Sequence, residues 1–296
     1  MPDRLPSLFI AGAPKSGTTS VFRWLDDHPQ ARGSVPKETN FFADPETEDF
    51  DPKFNVRQGL DQLHRAFQGK TGPDQMLFEG TAVTIYSQTA LGMIPDLPNA
   101  PKCLFILREP AAQILSTFTY FKNNWAAIPP EVGFEDFLSH VRSGKVTYDS
   151  HELLRDALAN ADYLRLLQPW RDRLGTERMM VRTFDALRED PRSFMADLAD
   201  WCGIAPEFYD TYDFAAENES YVPRSRALQQ VNVALRERLP KGVLYGLARR
   251  IYRRLNTRRP AGQVDPEVMA ALRAEFAAKN RQLSKAFDLD LSGWSD

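Results

Sequence analysis

A short stretch near the start of the chain carries the residue types that bind phosphate. Residues 8–11 are apolar and predict a buried strand, and an amphipathic helix is predicted from Ser20 onward. The turn Gly-Ala-Pro-Lys-Ser-Gly-Thr-Thr between them brings free backbone N–H groups and the positive end of a helix dipole together. The anion site predicted here consists of Lys15, Ser16, Gly17, Thr18 and Thr19.

The spacing of this turn differs from the common nucleotide-binding loop GxxxxGK[ST]. Gly12 and Gly17 have the separation of that loop. Thr18 stands where the loop has its lysine, and Lys15 lies inside the turn instead. A lysine at this place can neutralise charge that develops on a leaving phosphate oxygen. The alternative for Lys15 is a solvated loop residue, and helix capping is a compatible role for the two threonines.

A later strand ends in an arginine where magnesium-dependent nucleotide enzymes carry an acid. Residues 102–108 are almost wholly apolar up to Arg108, as a parallel strand buried on both faces requires. A Walker B strand would end in an acidic residue that holds magnesium, so Arg108 argues against a kinase or a GTPase. Arginine grips phosphate with its planar fork, and Ser116 follows along the next helix. The alternatives are a salt-bridged strand end and a surface hydroxyl.

The turn Pro-Lys-Ser-Gly-Thr-Thr and the strand–Arg-x-Pro–helix segment with its later serine together resemble the sulfotransferase family. In that family the turn holds the 5′-phosphate of the donor 3′-phosphoadenylyl sulfate. The resemblance therefore implies that Lys15, Thr18 and Thr19 bind the 5′ end of the donor. It implies that Arg108 and Ser116 bind the 3′-phosphate.

Glu38 is the candidate general base. In the branch that resembles the heparan sulfate sulfotransferases, a glutamate precedes a Phe-Phe pair, and residues 37–42 read Lys-Glu-Thr-Asn-Phe-Phe. A base must take the proton of the acceptor hydroxyl as it attacks sulfur, a contribution of about 10²–10⁴ in rate. The alternative is a solvated glutamate beside Lys37. Other branches use histidine, but His28 is predicted to be structural in its His-Pro turn.

The acceptor side departs from the heparan-type pattern. Those enzymes carry a lysine in a loop Glu-Lys-Thr-Pro, where this chain has Glu79-Gly80-Thr81-Ala82. The missing lysine removes a charge that would face sulfate, which argues against a polyanionic polysaccharide acceptor. We expect a hydroxyl acceptor, either a carbohydrate or a small-molecule or acyl alcohol.

Later segments extend the resemblance. Residues 182–191 resemble a family stretch in which Phe184 replaces tyrosine and lies near adenine or in the core. Residues 218–228 look like the late loop that closes over the donor nucleotide in bacterial members. Within that loop, Arg224 and Arg226 are candidate ligands of the 3′-phosphate, with surface arginines as the alternative.

The alternation of strand and helix patterns predicts βαβ units, and hence an α/β fold. We expect a P-loop-like arrangement of three αβα layers around a mainly parallel sheet. We expect one domain over residues 1–296, with a helical C-terminal part from residue 227 and an insertion at residues 44–74. The insertion is a substrate-side wall or a surface excursion. Helices are predicted at residues 83–93, 134–141, 153–170, 192–201, 227–239, 243–255 and 266–287.

Composition sets outer limits on function. The chain of 296 residues has a net charge of -3, so no global basic field for nucleic acid exists. Two cysteines provide no disulfide framework, and a reduced cytoplasmic setting is expected. No apolar run approaches the ~20 residues needed to span a bilayer, and no cluster of metal ligands is visible. Residues 241–259 form a basic amphipathic pattern, typical of a solvated face or of a membrane or acidic-partner contact.

These observations predict an O-sulfotransferase in which Lys15 stabilises the leaving phosphate and Glu38 accepts the hydroxyl proton. Two alternatives stay open. A P-loop nucleotide kinase with a displaced lysine would turn over ATP with magnesium. A non-catalytic scaffold would bind adenosine 3′,5′-bisphosphate and transfer nothing.

Overall fold

A five-stranded parallel sheet lies at the centre of the computed structural model. The strands in chain order are β1 (Leu8–Gly12), β2 (Ala31–Gly33), β3 (Met76–Glu79), β4 (Lys102–Leu107) and β5 (Met179–Thr183). Their order across the sheet is β2-β3-β1-β4-β5, and every pairing is parallel. The structure describes residues 5–67, 72, 75–144, 148, 151–214, 222–223, 257–258 and 264–294.

Helices connect the strands, which confirms the predicted α/β fold with a mainly parallel sheet. Those in the described ranges are α1 (Thr18–Asp26), α2 (Gln88–Met93), α3 (Pro110–Tyr120), α4 (Phe134–Ser143), α5 (Glu152–Arg155), α6 (Ala157–Asn160), α7 (Tyr163–Leu174), α8 (Phe184–Glu189), α9 (Pro191–Cys202) and α10 (Pro266–Phe287). Two short strands, β6 (Val222–Pro223) and β7 (Thr257–Arg258), pair antiparallel outside the main sheet.

The two faces of the sheet support separate hydrophobic clusters. Side chains alternate along a strand, so Phe9 and Phe105 face one cluster while Ile10 faces the other. On the first face, the Phe105 ring centroid lies 5.4 Å from that of Trp170 on α7. On the second, Ile10 packs in the cluster that includes Leu198 of α9. Helices therefore cover both faces, as a buried parallel sheet requires.

Two helix predictions are wrong because polar residues interrupt the helices. The single helix predicted at residues 153–170 is three helices, α5, α6 and α7. Asp162 caps α7 through its side chain, which accepts a hydrogen bond from the Arg165 N–H. The helix predicted at residues 83–93 is a 3₁₀ turn, Ala82–Tyr86, followed by α2. The Ser87 hydroxyl accepts from the Ala90 N–H and begins α2.

Other boundaries are confirmed. Helix α10 spans the predicted residues, and Gly203 ends α9 in a left-handed conformation with φ of 76°. The helices predicted at residues 227–239 and 243–255 lie outside the described residues, and the single-domain organisation stays a prediction. Within the part of the chain that the structure describes, no helix is long and apolar enough to cross a membrane.

The central core should respond strongly to truncation of Phe105, which is fully buried. We expect Phe105→Ala to lower the free energy of unfolding by about 3–5 kcal/mol, since it removes apolar contacts and leaves a cavity. The matched control is Val35→Ala at a side chain that is 67% exposed, where we expect a change within about 0.5 kcal/mol. Denaturant unfolding measures both, and equal effects would contradict the assigned core.

Candidate active site

The carboxyl ends of the parallel strands bring the candidate residues to one edge of the sheet. Lys15 follows β1, Glu38 follows β2, Gly80 follows β3 and Arg108 follows β4. Ligands bind at this edge in open α/β sheets. Residues from four separate loops therefore meet around one site.

The turn after β1 has a backbone shaped by two positive φ angles. Gly17 has φ of 86°, and a Cβ atom there would lie 2.7 Å from Leu187 Cδ2, so no other residue fits. Lys15 has φ of 67°, in the left-handed region. The Ala13 N–H donates to the Ile106 carbonyl at 2.8 Å, which ties the turn to β4. Residues 14–17 thus wrap over the start of α1.

The turn leaves several donors open. The backbone N–H groups of residues 16–19 have no hydrogen-bond partner among the described residues. The Ser16 side chain is fully buried, and its hydroxyl also has no partner there. The Tyr163 hydroxyl lies beside Ser16 in the same condition, and burial raises its pKa so that it keeps its proton. Buried donors without acceptors are suited to binding an anion, so the turn fits a phosphate group.

Two cations flank these donors. Arg108 Nη1 donates to the Lys15 carbonyl oxygen at 3.1 Å, and its guanidinium carbon lies 5.0 Å from the Phe184 ring centroid. Lys15 Nζ lies 3.8 Å from the Tyr120 ring centroid. Gln113 of α3 supports the turn from below by donating to the Pro14 carbonyl at 3.3 Å. The arginine and the lysine therefore belong to one cluster.

The electrostatics of Lys15 reflect this crowding. Burial and then the charge of Arg108 lower the pKa of Lys15, Glu38 partly opposes them, and the resulting pKa is about 8. The first turn of α1 contains no acidic residue that could neutralise the site. A strongly lowered pKa next to open donors is typical of a functional site.

The other residues predicted to bind or lie near the donor are only partly within the described residues. Ser116 is half-buried on α3, the helix that leaves the Arg108 loop. Phe184 is half-buried against the second core cluster, beneath Arg108. Arg224 and Arg226, like most of the basic stretch at residues 241–259, lie outside the described residues.

Glu38 follows the edge strand β2, which lies on the other side of β1 from β4 and Arg108. Its side chain is 50% exposed, and Lys37 Nζ donates to its Oε1 at 3.0 Å. Phe41 and Phe42, shortly after it in the chain, are buried and anchor this loop in the core. Glu38 thus combines an accessible carboxylate with a fixed backbone.

Glu79 is a site residue that the sequence reasoning did not identify. Its carboxylate is buried and accepts from the Thr39 N–H at 3.1 Å, the Thr39 hydroxyl at 2.9 Å and the Thr81 N–H at 2.9 Å. The Thr81 hydroxyl donates to it as well. Burial raises the pKa of Glu79 and outweighs these hydrogen bonds. The pattern that could have identified it is a glutamate ending an otherwise apolar strand.

Further carboxylates surround Glu38. Asp49 Oδ1 accepts from Asn40 Nδ2 at 3.2 Å, and Glu48 pairs with His151 at 3.3 Å. Poor solvation of the carboxyl, then the charges of Glu48 and Glu38, raise the pKa of Asp49 to about 6, although the residue as a whole is exposed. The part of the site around Glu38 and Asp49 is therefore acidic.

One histidine has a clear structural role. His28 is buried and its Nε2 lies 2.9 Å from the Ala205 carbonyl oxygen, which fits the predicted structural role. Across the described residues, no group of three His, Cys, Asp or Glu side chains could hold a metal ion.

The Glu79 clamp makes a testable contribution to stability. We expect Glu79→Gln to lower the free energy of unfolding by about 1–3 kcal/mol, because the amide places N–H donors against the threonine donors. The matched control is Glu177→Gln at an exposed position, where the change should stay within about 0.5 kcal/mol. Thermal or denaturant unfolding measures both, and a neutral Glu79→Gln would contradict the clamp.

Comparison with known proteins identifies the family. The model of the sulfotransferase domain family matches residues 5–223. The chain is 23% identical over 208 residues to bifunctional heparan sulfate N-deacetylase/N-sulfotransferase 4 of Mus musculus. It is 22% identical over 218 residues to heparan sulfate glucosamine 3-O-sulfotransferase 3B1 of Mus musculus. These alignments cover 70% and 74% of this chain, but only 23% and 51% of the two relatives.

A solved structure shares the fold. The crystal structure of a sulfotransferase from Alicyclobacillus acidocaldarius aligns with a TM-score of 0.71 and 21% identity. The alignment covers 99% of this chain and 100% of that one. Because the family model spans most of the chain and the fold agrees with it, the protein belongs to the sulfotransferase family.

Proposed function

We propose that this protein is an O-sulfotransferase that moves the sulfuryl group of 3′-phosphoadenylyl sulfate to a hydroxyl acceptor. One observation carries the proposal. The phosphate-binding turn with Lys15 and Arg108 shares one sheet edge with Glu38, so a cationic donor side adjoins a carboxylate base. Family membership supports the reaction class.

The donor would lie across the carboxyl ends of β1 and β4. The open N–H groups of the turn and the Ser16 hydroxyl would bind the 5′-phosphate. Arg108 and Ser116 would bind the 3′-phosphate, together with Arg224 and Arg226 from outside the described residues. Arginine suits this role because its fork contacts two phosphate oxygens at once.

The chemistry needs one proton transfer and one stabilised leaving group. The acceptor oxygen bonds to sulfur while the bond between sulfur and the phosphate oxygen breaks, and the hydroxyl proton passes to Glu38. Lys15 neutralises the charge that develops on the departing phosphate oxygen. Its location inside the turn suits a leaving phosphate, whereas a GxxxxGK[ST] lysine serves a transferred one.

The acceptor is proposed to be a carbohydrate or a small-molecule or acyl alcohol without a dense negative charge. Glu48 and Asp49 next to Glu38 would repel a polyanion, since like charges in a poorly solvated site cost free energy. In addition, this chain has Gly80 where the heparan-type loop has a lysine. Both features separate this acceptor side from that of a heparan sulfate enzyme.

Labelled-sulfate transfer from the donor, assayed across sugars, phenols, alcohols and acyl-carrier substrates, tests the proposal. Labelled product that forms equally well with and without magnesium would support it. ATP turnover that requires magnesium would favour a nucleotide kinase instead. Binding of adenosine 3′,5′-bisphosphate without transfer to any acceptor would favour a non-catalytic scaffold.

Replacing the proposed base should separate turnover from donor binding. We expect Glu38→Gln to lower kcat by about 10²–10⁴-fold, because it removes the proton acceptor. The dissociation constant for adenosine 3′,5′-bisphosphate should change little, since Glu38 lies on the acceptor side. Glu177→Gln is the control that keeps wild-type turnover. Full activity of Glu38→Gln would show that another group is the base.

Donor affinity should depend on the charge of Lys15. Its pKa of about 8 means that the free enzyme loses this cation at alkaline pH, whereas a bound phosphate favours the charged form. Binding should therefore take up protons, and the affinity for adenosine 3′,5′-bisphosphate should fall above pH 8, by at most about tenfold per pH unit.

Calorimetric titration from about pH 7 to about pH 10 measures this dependence. Lys15→Met should bind adenosine 3′,5′-bisphosphate more weakly at neutral pH. Its affinity should no longer show the fall above pH 8 that is assigned to Lys15. A wild-type affinity that stays constant across this range would contradict the assignment.

A further inference from the structure

Lys37 has no part in the mechanism above, yet both its side-chain amine and its backbone carbonyl are held by hydrogen bonds. Only 18% of the side chain is exposed. Its Nζ donates to the Gly80 carbonyl at 2.6 Å and to Glu38 Oε1 at 3.0 Å. The Lys37 carbonyl accepts from the Ser34 hydroxyl at 2.9 Å and from the Gly80 N–H at 3.3 Å. Lys37 therefore pairs with both backbone groups of Gly80.

Gly80 is required by close packing. A Cβ atom at Gly80 would lie 2.4 Å from Phe22 Cδ2 and 3.3 Å from Lys37 Cγ. Phe22 is buried, and its ring centroid lies 4.9 Å from that of Phe78 on β3, so the ring cannot move aside freely. A lysine side chain thus does not fit at this position. The Lys37 stem lies beside it, with Nζ 5.7 Å from the Phe22 ring centroid.

The cation of Lys37, in the loop after β2, therefore lies next to Gly80, where the loop after β3 has no charged side chain of its own. It is fixed to the β3 end by the Gly80 carbonyl, which gives it a defined location relative to the sheet. A free glutamate side chain that is half exposed samples several rotamers, and ordering it costs free energy. The charge-assisted hydrogen bond from Lys37 restricts Glu38 to one arrangement.

We propose that Lys37 is the positioning residue of the general base, holding the Glu38 carboxylate by Oε1 so that its other oxygen faces the acceptor hydroxyl. This inference rests on the proposed function, because Lys37 acts only through Glu38. Among the described residues, Glu38 Oε2 has no hydrogen-bond partner and is available for the proton.

The Glu38 side of the pair is half exposed, and ion pairs in contact with solvent contribute little to stability, so the pair should matter for turnover more than for folding. The test is a double-mutant cycle of Lys37→Met, Glu38→Gln and the double variant. Lys37→Arg is the conservative rescue, and Lys285→Met, at an exposed residue of α10, is the matched control. The readouts are labelled sulfate released from the donor with and without the best acceptor found above, affinity for adenosine 3′,5′-bisphosphate, and thermal unfolding.

We expect Lys37→Met to lower kcat by about 10- to 100-fold, the cost of a misplaced catalytic group. Affinity for adenosine 3′,5′-bisphosphate should be unchanged. In the Glu38→Gln background, Lys37→Met should change kcat by no more than about twofold, because the group it positions is already lost. Lys37→Arg should restore part of the turnover, and Lys285→Met should match the wild type.

Turnover of Lys37→Met within about twofold of the wild type would overturn the inference, as would additive losses in the double variant. The first result leaves the proposed function intact if the wild type transfers sulfate and Glu38→Gln does not. A wild type that transfers no sulfate would overturn both. If Lys37→Met does not fold, Lys37→Gln, which keeps a donor for the Gly80 carbonyl, takes its place in the cycle.

Discussion

The buried carboxylate of Glu79 holds together the loops after β2 and β3, which form the proposed acceptor side. An isolated buried charge costs several kcal/mol, and only well-placed donors offset that cost. Here the backbone and hydroxyl groups of Thr39 and Thr81 supply four donors. Because Thr39 directly follows Glu38, the same interaction fixes the backbone position of the proposed base. The location of Glu38 is thus a consequence of a polar cluster inside the protein.

The parallel sheet extends this arrangement to the donor side. Strand β1 lies between β3 and β4, so the phosphate-binding turn falls between the Glu79 clamp and Arg108. Two cations and a row of unpaired N–H groups lie on one side, and carboxylates lie on the other. This division of charge suits the proposed reaction, in which an anionic donor and a less charged acceptor would meet within one site. Burial in this site and the nearby charge of Arg108 lower the pKa of Lys15.

The fold was largely predictable because its patterns are local. Apolar strands followed by turns and amphipathic helices indicated the α/β class, and α9 and α10 appear where they were predicted. The helix predicted across residues 153–170 failed because capping by polar side chains such as Asp162 competes with helix continuation. The candidate donor-side residues could be predicted because each lies within a short contiguous motif. Glu79 and the contact of Lys37 with Gly80 were missed because they depend on partners about forty residues away in the chain.

The sequence by itself determined the turn at Lys15, the arginine that ends β4 and the alternation that produces a parallel sheet. These features follow from short-range preferences, in which each residue responds to neighbours a few positions away. Only the tertiary structure decided that Lys37 bridges Glu38 and Gly80 and that Phe22 leaves no room for a side chain at Gly80. The register of β2 against β3 and the packing of α1 on the sheet set those contacts, and both depend on the whole core.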